Sequence, residues 1–554
     1  MTGGRPVVVV TGGGGGIGAA VAEALGRGGW FVVTMDPLMS LDGTERLPQP
    51  EETTAGRITA AGGTARASAV SVTDRQAVHD ELHLIVGELG RLDAVVNVAG
   101  ITRPTGFATG TEEDWRSVLA VHLDGYRNVL DATLPIMAEA GCGRVLGVTS
   151  GSGWRSADAG AYSCAKRAVA SLTWELGREA PLGVAVNAMS PIAVTRMVTA
   201  ALARATGGRA QGSSSTGGLS LGSMPEPDEL GPLGAHLVGE SFAWCRGQVI
   251  FVGGSEAAVI DPPRFLEVIR AEAGRTLAQV LETVGNGVLV PAEASQASGG
   301  GSNPRFGSSF ATSSAEELPS SAVRRCALIT DRPDLAAAIT DALDGRVAVY
   351  HTIPADEPAS GFGGAARTLA AAAERRGPFD GVVVALAGGP PASGAASAWE
   401  RVLAEHEGIV EQIHADAGWT RAVAEYSASA DRPVRLVTLT EATTAGGRSR
   451  AQAAAQLARA GRRATDGRVA AFAVGVEGSG PAAIAPVAEL VAHLLCSPDA
   501  EALGGGELAA GAGWVGLRSH PRPGGSIVLG GCDVPPWFDS TMREIVGARQ
   551  EEGA

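Results

Sequence analysis

The sequence predicts an α/β protein built from two tandem domains, each with a doubly wound parallel sheet. Its 554 residues suffice for two such units of roughly 250 residues each. Short β-branched runs, such as residues 7–10 and 94–98, alternate with Ala- and Leu-rich stretches, a pattern typical of βαβ units. The motif W-x-x-V-L-A-x-H occurs at residues 115–122 and again at 399–406, which indicates an internal repeat.

Low-complexity stretches set the predicted boundaries. We predict a catalytic domain with a C-terminal extension at residues 1–290, a flexible Gly/Ser-rich linker at 291–321 and a second domain at 322–554. A further Gly/Ser-rich stretch, residues 204–227, lies inside the first domain and is interpreted as a loop over the substrate or as an inert insertion.

Composition restricts the partners. The net charge is −15 and there is no Lys/Arg-rich block, which argues against nucleic acid or an anionic membrane as the main partner. No apolar run approaches the length of a membrane span, and a small-molecule substrate is expected instead. Six cysteines without a CxxC motif favour a reducing, cytoplasmic location, and nine histidines without HxH or HExxH argue against a metal site.

A glycine-rich turn follows the first predicted strand. Residues 11–18 read TGGGGGIG and lead directly into an Ala-rich helix, which makes the first unit Rossmann-like. Small residues let the backbone approach a pyrophosphate, and the helix N-terminus offers free N–H groups to its charge. Since glycine makes up 78 residues of the chain, an ordinary turn is the alternative.

Asp36 ends the second predicted strand, eighteen residues after Gly18. A carboxylate there can accept hydrogen bonds from the adenosine ribose hydroxyls and would repel a 2′-phosphate. No Arg or Lys adjoins it, so NAD is the predicted cofactor. The alternative is a solvated aspartate before a proline turn.

Lys166 is the only lysine in the chain, and Tyr162, one of four tyrosines, lies four residues before it. On a helix these positions share a face, so the ammonium is expected to lower the phenol pKa toward neutrality, as general acid/base chemistry requires. Upstream, Thr149, Ser150 and Ser152 end a predicted strand with hydroxyls that could hold a substrate oxygen. The alternative is a tyrosine packed on a lysine stem.

Together these motifs resemble the short-chain dehydrogenase/reductase family over residues 7–254. The resemblance rests on a TGxxxGxG turn, the sequence NVAG at 97–100, a serine and YxxxK. It implies that Tyr162 exchanges the proton, Lys166 lowers the tyrosine pKa and binds the nicotinamide ribose, and Ser150 orients the substrate oxygen. The implied cofactor-binding residues are Thr11, Gly12, Gly16, Ile17, Gly18, Asp36, Asn97, Ala99, Gly100, Tyr162, Lys166, Pro191 and Thr195.

His122 departs from the family pattern because it stands where the family has a proton-relaying asparagine. A histidine can relay protons, although a buried structural histidine is the equal alternative. With the sequence Thr-Arg-Met at 195–197, it makes the first unit similar to the hydroxyacyl-CoA dehydrogenase units of multifunctional β-oxidation enzymes. This similarity favours hydroxyacyl-thioester, steroid or polyketide-type substrates.

The second half resembles the same fold without its chemistry. Asp331 and Asp334 stand where the glycine turn belongs and would repel a pyrophosphate, no lysine is present, and Thr438 lies near the serine position. We therefore predict a non-catalytic copy that pairs with the first unit inside the chain. Whether two chains pair further is left open.

The predicted function is an NAD(H)-dependent oxidoreductase that transfers hydride between nicotinamide and a secondary alcohol or ketone. Two alternatives are a non-redox scaffold with structural NAD and a tailoring enzyme that uses the fold for dehydration or epimerisation.

Overall fold

The computed structural model describes residues 4–154, 160–205, 224–271, 275–296, 323–351, 361–389 and 394–552. Most of the predicted linker at 291–321 and of the predicted loop at 204–227 lies outside these ranges. Within them the α/β fold class predicted from the sequence is confirmed, because two large mainly parallel sheets are flanked by helices.

The first sheet has nine strands, in the order β17-β8-β7-β6-β5-β4-β1-β2-β3. The strands are β1 (Val7–Thr11), β2 (Phe31–Met35), β3 (Thr64–Ser68), β4 (Ala94–Asn97), β5 (Gly143–Val148), β6 (Val184–Pro191), β7 (Val249–Gly253), β8 (Glu256–Asp261) and β17 (Arg522–Val528). The strands β1 to β7 pair in parallel, and β8 and β17 are antiparallel. Parallel strands need covered faces, and helices supply the cover.

The helices of the first unit lie between these strands. They are α1 (Gly16–Arg27), α2 (Thr54–Ala60), α3 (Arg75–Leu89), α4 (Glu112–Leu119), α5 (Gly125–Ala140), α6 (Gly160–Glu179), α7 (Arg196–Ala205) and α8 (Gly231–His236). A π-helical turn, Ala120–Asp124, joins α4 to α5. A 3₁₀ turn, Gly151–Gly153, follows β5.

The second sheet has eight strands, in the order β11-β10-β12-β13-β14-β15-β16-β9. The strands are β9 (Phe265–Arg270), β10 (Arg325–Thr330), β11 (Ala348–His351), β12 (Gly381–Ala385), β13 (Val434–Glu441), β14 (Val469–Glu477), β15 (Glu507–Gly511) and β16 (Trp514–Arg518). The remaining helices are α9 (Leu277–Val280), α10 (Asn286–Ser295), α11 (Pro333–Leu343), α12 (Gly361–Arg376), α13 (Ala398–Glu405), α14 (Ile409–Ser429), α15 (Ala445–Ala464), α16 (Pro481–Cys496) and α17 (Phe538–Glu552).

Each sheet is completed by a strand from the other half of the chain. β9 follows β8 in sequence but pairs with β16, while β17 follows β16 and pairs with β8. Without this exchange, β8 and β16 would present unpaired backbone groups at open sheet edges. The packing therefore does not follow the predicted boundaries at 290 and 322, and α10 crosses the predicted linker start at 291.

The two units meet through helices. α6 packs against α15, and one hydrophobic cluster contains Leu119 and Leu172 of the first unit together with Ile413 and Leu457 of the second. Arg448 on α15 pairs with Glu175 on α6 at 2.7 Å. The two halves of the chain therefore share a packed interface.

No helix in the described ranges combines the length and apolar character needed to cross a bilayer.

Helix α17 should anchor the end of the chain on the first unit through Phe538. The side chain is fully buried beside Phe242 and His236, whereas the neighbouring Trp537 is 44% exposed. We expect Phe538→Ala to lower the free energy of unfolding by about 3–5 kcal/mol, because it leaves a cavity. Trp537→Ala is the matched control with a much smaller loss. Denaturant titration followed by circular dichroism measures both, and equal losses would contradict this account of the docking.

Candidate active site

The glycine-rich turn joins β1 to α1 and packs against the end of β4. Gly12 has φ +66°, and a Cβ atom there would lie 2.8 Å from the Ala99 nitrogen. A Cβ atom at Gly18 would lie 2.3 Å from the Gly12 carbonyl oxygen. Both positions therefore require glycine, because backbone approaches backbone there.

The N-terminus of α1 is open to an anion. The N-cap residue is Gly15, so no side chain accepts a hydrogen bond from the first backbone N–H groups of the helix. The first turn also holds no acidic residue. Gly16 has φ +54°, and Ile17 packs into the core beneath the turn. Backbone N–H groups and the positive end of the helix dipole thus face the position that a pyrophosphate needs.

Asp36 lies beside this turn, as predicted from its spacing. Its Oδ2 accepts a hydrogen bond from the Gly14 nitrogen at 2.9 Å, and its Oδ1 accepts one from the Leu38 nitrogen at 2.8 Å. The two bonds fix the carboxylate at the carboxyl end of β2.

Asn97 connects the turn to the strand end that follows it. Its buried Oδ1 accepts a hydrogen bond from the Thr11 hydroxyl at 2.7 Å, and that hydroxyl accepts one from the Ala99 nitrogen at 3.2 Å. The residues predicted from the TGxxxGxG and NVAG motifs are therefore brought together in one polar cluster.

His122 lies on the π-helical turn and reaches the same region. Its Nε2 is 2.8 Å from the Ile101 carbonyl oxygen, so Nε2 carries the proton, and Nδ1 has no partner within the described residues. A Cβ atom at Gly100 would lie 2.4 Å from His122 Cε1, so glycine is needed for the ring to approach. The ring lies edge-on to Tyr162, with centroids 5.0 Å apart.

Ser150 follows β5, and its interaction with the Tyr162 phenol opposes the rise that burial causes in the pKa of that phenol. The Ser150 oxygen accepts a hydrogen bond from the Ser152 nitrogen at 3.3 Å. Thr149 is fully buried, and its hydroxyl donates to the Lys166 carbonyl oxygen at 2.5 Å. Of the three hydroxyls considered from the sequence, that of Ser150 is the one that affects the pKa of the Tyr162 phenol.

Lys166 lies one turn after Tyr162 on α6, as the spacing predicts. Its ammonium donates to the Val148 carbonyl oxygen at 2.6 Å and lies 5.6 Å from the centre of the Tyr162 ring. The side chain is 3% exposed. The helix therefore presents the phenol and the ammonium on one face, next to the end of β5.

The expected lowering of the tyrosine pKa is wrong for this structure. Burial raises the pKa of Tyr162, and the Ser150 hydrogen bond opposes that rise. Burial also lowers the pKa of Lys166 to about 7, so the ammonium loses much of its charge at neutral pH. Burial, with Lys166 as the second cause, lowers the pKa of His122 well below its usual value. Low dielectric thus shifts all three groups toward their neutral forms.

Thr195 borders the glycine-rich turn, and Pro191 precedes Thr195 by four residues. Pro191 ends β6, and the Thr195 methyl lies 3.9 Å from the position of a Cβ atom at Gly16. The sequence analysis missed Arg196, whose Nη2 lies 3.6 Å from the position of a Cβ atom at Gly15. The sequence could have indicated Arg196, because it directly follows Thr195, a residue already predicted to bind the cofactor.

The second unit has different groups at the equivalent places. Thr438, considered from the sequence for the serine position, lies inside β13 and pairs with Val384, whereas Ser150 lies two residues beyond the end of β5. The offset of the repeated W-x-x-V-L-A-x-H motif places Gly446 and Arg450 at the positions of Tyr162 and Lys166. Arg450 is fully buried and makes a bidentate ion pair with Asp416, at 2.7 and 2.8 Å.

No group of three or more His, Cys, Asp or Glu side chains that could hold a metal ion was found among the described residues.

Comparisons with known proteins match the first unit. The family model "short chain dehydrogenase" matches residues 6–206. The chain is 33% identical over 251 residues to short-chain reductase protein NovJ of Streptomyces niveus, which covers 45% of this chain and 92% of that protein.

Two further relatives have similar coverage. Hydroxyacyl-CoA dehydrogenase ChsB1 of Mycobacterium tuberculosis is 32% identical over 272 residues, covering 46% of this chain and 80% of that protein. Acetoacetyl-CoA reductase of Allochromatium vinosum is 29% identical over 253 residues, covering 45% of this chain and 97% of that protein. Through this matched region, the chain belongs to the short-chain dehydrogenase family.

Proposed function

We propose that the chain is an NAD(H)-dependent oxidoreductase with one active site, in the first unit, that transfers hydride between nicotinamide and a secondary alcohol or ketone. The observation that carries the proposal is that α6 presents the Tyr162 phenol and the Lys166 ammonium on one face, with the ammonium 5.6 Å from the ring centre and bonded to the end of β5, which Ser150 follows. A protein that only bound the cofactor would not need the Ser150 hydroxyl beside that phenol.

The residues of the first unit fit a nicotinamide dinucleotide. The uncapped N-terminus of α1 and the Arg196 guanidinium would hold its pyrophosphate. The rest of the cofactor would be lined by Thr11, Asn97, Ala99, Pro191 and Thr195. The bound cofactor supplies or accepts the hydride.

Tyr162 moves the proton in this proposal. Because burial raises its pKa, the phenol stays protonated through neutral pH and can donate to the substrate oxygen during ketone reduction. Ser150 positions that oxygen, and Lys166 would bind the nicotinamide ribose. His122 offers the unpartnered Nδ1 as an acceptor for a proton relay behind the tyrosine.

We infer that the substrate is a 3-oxoacyl or 3-hydroxyacyl thioester. The names of two relatives, hydroxyacyl-CoA dehydrogenase and acetoacetyl-CoA reductase, support this substrate class. Acetoacetyl-CoA is therefore the first substrate to test. The acidic net charge of −15 supports a small-molecule partner over nucleic acid.

We also infer that the second unit is a degenerate, non-catalytic copy of the first. The strands β1 and β10 both lie inside their sheets, and both sheets close with two antiparallel strands, which supports a repeat. Arg450 in place of Lys166 is locked to Asp416, and the turn after β10 holds Asp331 and Asp334. All six cysteines are free thiols, which supports a reducing, cytoplasmic location.

Tyr162→Phe should abolish acetoacetyl-CoA reduction with NADH, since it removes the proton donor while the ring stays in place. We expect a loss of at least roughly 10³-fold in kcat, with NADH affinity retained. Tyr126→Phe is the matched control, because Tyr126 is buried on α5 and its hydroxyl has only a 3.5 Å contact with Thr173. Stopped-flow absorbance at the NADH band measures turnover. Retained activity in Tyr162→Phe would refute the assignment.

The same tyrosine predicts the pH dependence. Since the raised pKa keeps the phenol protonated, reduction should be insensitive to pH from neutral upward until the phenol ionises, whereas alcohol oxidation should accelerate as pH rises. Initial rates in both directions across this range test the sign. Oxidation that slows with rising pH, in wild type and in Tyr126→Phe alike, would contradict it.

Asp36 should select NADH over NADPH, because its carboxylate would repel a 2′-phosphate. We expect Asp36→Asn to reduce the ratio of NADH to NADPH affinity by roughly tenfold or more. Calorimetric titration measures both affinities and the number of sites, which should be one per chain. Asp80→Asn, an exposed carboxylate on α3, is the control. Two sites per chain would contradict the non-catalytic second unit.

The close contact of Gly100 with His122 gives a prediction about the relay residue. Gly100→Ala should push the ring aside and destabilise the protein by roughly 1–3 kcal/mol. His122→Asn in the same chain should recover part of that loss, because the smaller side chain makes room. Gly87→Ala on α3, with open space around its Cβ position, is the neutral control. Additive effects in the double-mutant cycle would show that the two residues do not interact.

A further inference from the structure

Side chains of the second unit hold the segment that directly follows Ser150. Gln456 Nε2 donates to the Ser152 carbonyl oxygen at 3.3 Å, and Arg459 Nη1 donates to the Trp154 carbonyl oxygen at 2.5 Å. Both donors lie on α15, about three hundred residues away in sequence. The 3₁₀ turn after Ser150 is therefore fastened across the interface between the units.

This turn also determines where the Ser150 hydroxyl lies. The Ser152 nitrogen donates to Ser150 Oγ at 3.3 Å, and the Gly153 nitrogen donates to the Ser150 carbonyl oxygen at 2.9 Å. A shift of the turn would move the Ser150 oxygen with it. The position of that oxygen relative to the Tyr162 phenol would change as well.

The neighbouring part of α6 is tied to the second unit as well. A Cβ atom at Gly153 would lie 2.9 Å from the Arg167 nitrogen, so the turn packs directly on the helix next to Lys166. The fully buried Arg167 guanidinium donates to Gln452 at 2.9 Å and pairs with Glu507 at 2.5 Å. The turn after Ser150 thus packs on α6 at the residue, Arg167, that binds the buried polar side chains Gln452 and Glu507 of the second unit.

Burial of the Arg459 side chain at this position is energetically unfavourable by itself. Arg459 is 8% exposed, and Gln456 is fully buried. Taking a guanidinium out of water is unfavourable unless it makes strong hydrogen bonds in a defined geometry. If these positions only stabilised the interface between the units, apolar side chains would do so without the cost of desolvating a charge. Apolar side chains are found elsewhere along α6 and α15.

We propose that Arg459 and Gln456 are positioning residues for the active site of the first unit, acting through the turn that carries the Ser150 hydroxyl. The second unit, which lacks the catalytic groups, then supplies part of the framework that keeps Ser150 on Tyr162. This inference rests on the proposed function for its kinetic consequence, but its structural consequence is independent of any substrate.

The first test is hydrogen–deuterium exchange of the turn in Arg459→Met, which keeps the apolar stem and removes the donors. Arg448→Met is the matched control, because Arg448 also lies on α15 and crosses the interface, but binds Glu175 at a different part of α6. We expect faster exchange of the Ser152, Gly153 and Trp154 amides in Arg459→Met and unchanged exchange there in Arg448→Met. Unchanged exchange in both would overturn the proposal.

The second test is the kinetics of acetoacetyl-CoA reduction with NADH. Displacement of the Ser150 hydroxyl should lower kcat by roughly 10–100-fold in Arg459→Met, with NADH affinity unchanged, because misplacement of a positioned group acts on the chemical step. Arg459→Lys, which keeps one donor, should recover part of the loss. In a Ser150→Ala background, Arg459→Met should cause no further loss, because both changes act through the same oxygen.

The outcomes separate the two proposals. A wild-type chain that reduces no thioester with NADH refutes the proposed substrate class, while the exchange measurement still decides the positioning role. An active wild type in which Arg459→Met and Arg448→Met have equal kcat refutes the positioning role alone. If Arg459→Met does not fold by circular dichroism, Gln456→Leu serves in its place, with a smaller expected change in the same direction.

Discussion

Helix α6 is the constraint on which the rest of this structure depends. It carries Tyr162 and Lys166, and 16 of its 20 residues are buried. A helix buried on nearly all sides needs a partner on each face. The sheet of the first unit covers one face, and α15 of the second unit covers another, so the candidate active site and the interface share a single helix.

This shared helix explains why polar groups lie deep in the interface. Arg167, directly after Lys166, cannot reach water and is paired with Glu507 and Gln452 of the second unit. Removing one partner of such a buried ion pair leaves the other charge buried without compensation. This destabilises a protein far more than replacing both partners by apolar residues. The exchange of β9 and β17 between the sheets holds the two units in the register that these bonds require.

The same burial sets the chemistry of the cleft. Tyr162, Lys166 and His122 all shift toward their neutral forms, because charge is unfavourable in a low-dielectric site. The Tyr–Lys spacing predicted a lowered pKa for the phenol, which is the opposite direction. A sequence pattern shows that a cation is adjacent, but it does not show that the cation is itself removed from water. The direction of the shift depends on burial and therefore on the assembled fold.

The parts of the fold and the site that could be predicted from the sequence are those made by short stretches of chain. The strand–turn–helix of residues 7–27, the carboxylate at the end of β2 and the i, i+4 pair on α6 are local, so backbone geometry alone determines their arrangement. Only the tertiary structure decided which of the three hydroxyls meets Tyr162, that β9 and β17 change sheets, and that Gln456 and Arg459 reach the Ser150 turn. These features are contacts between residues up to about three hundred positions apart, and they are set by burial and close packing, which no local pattern encodes.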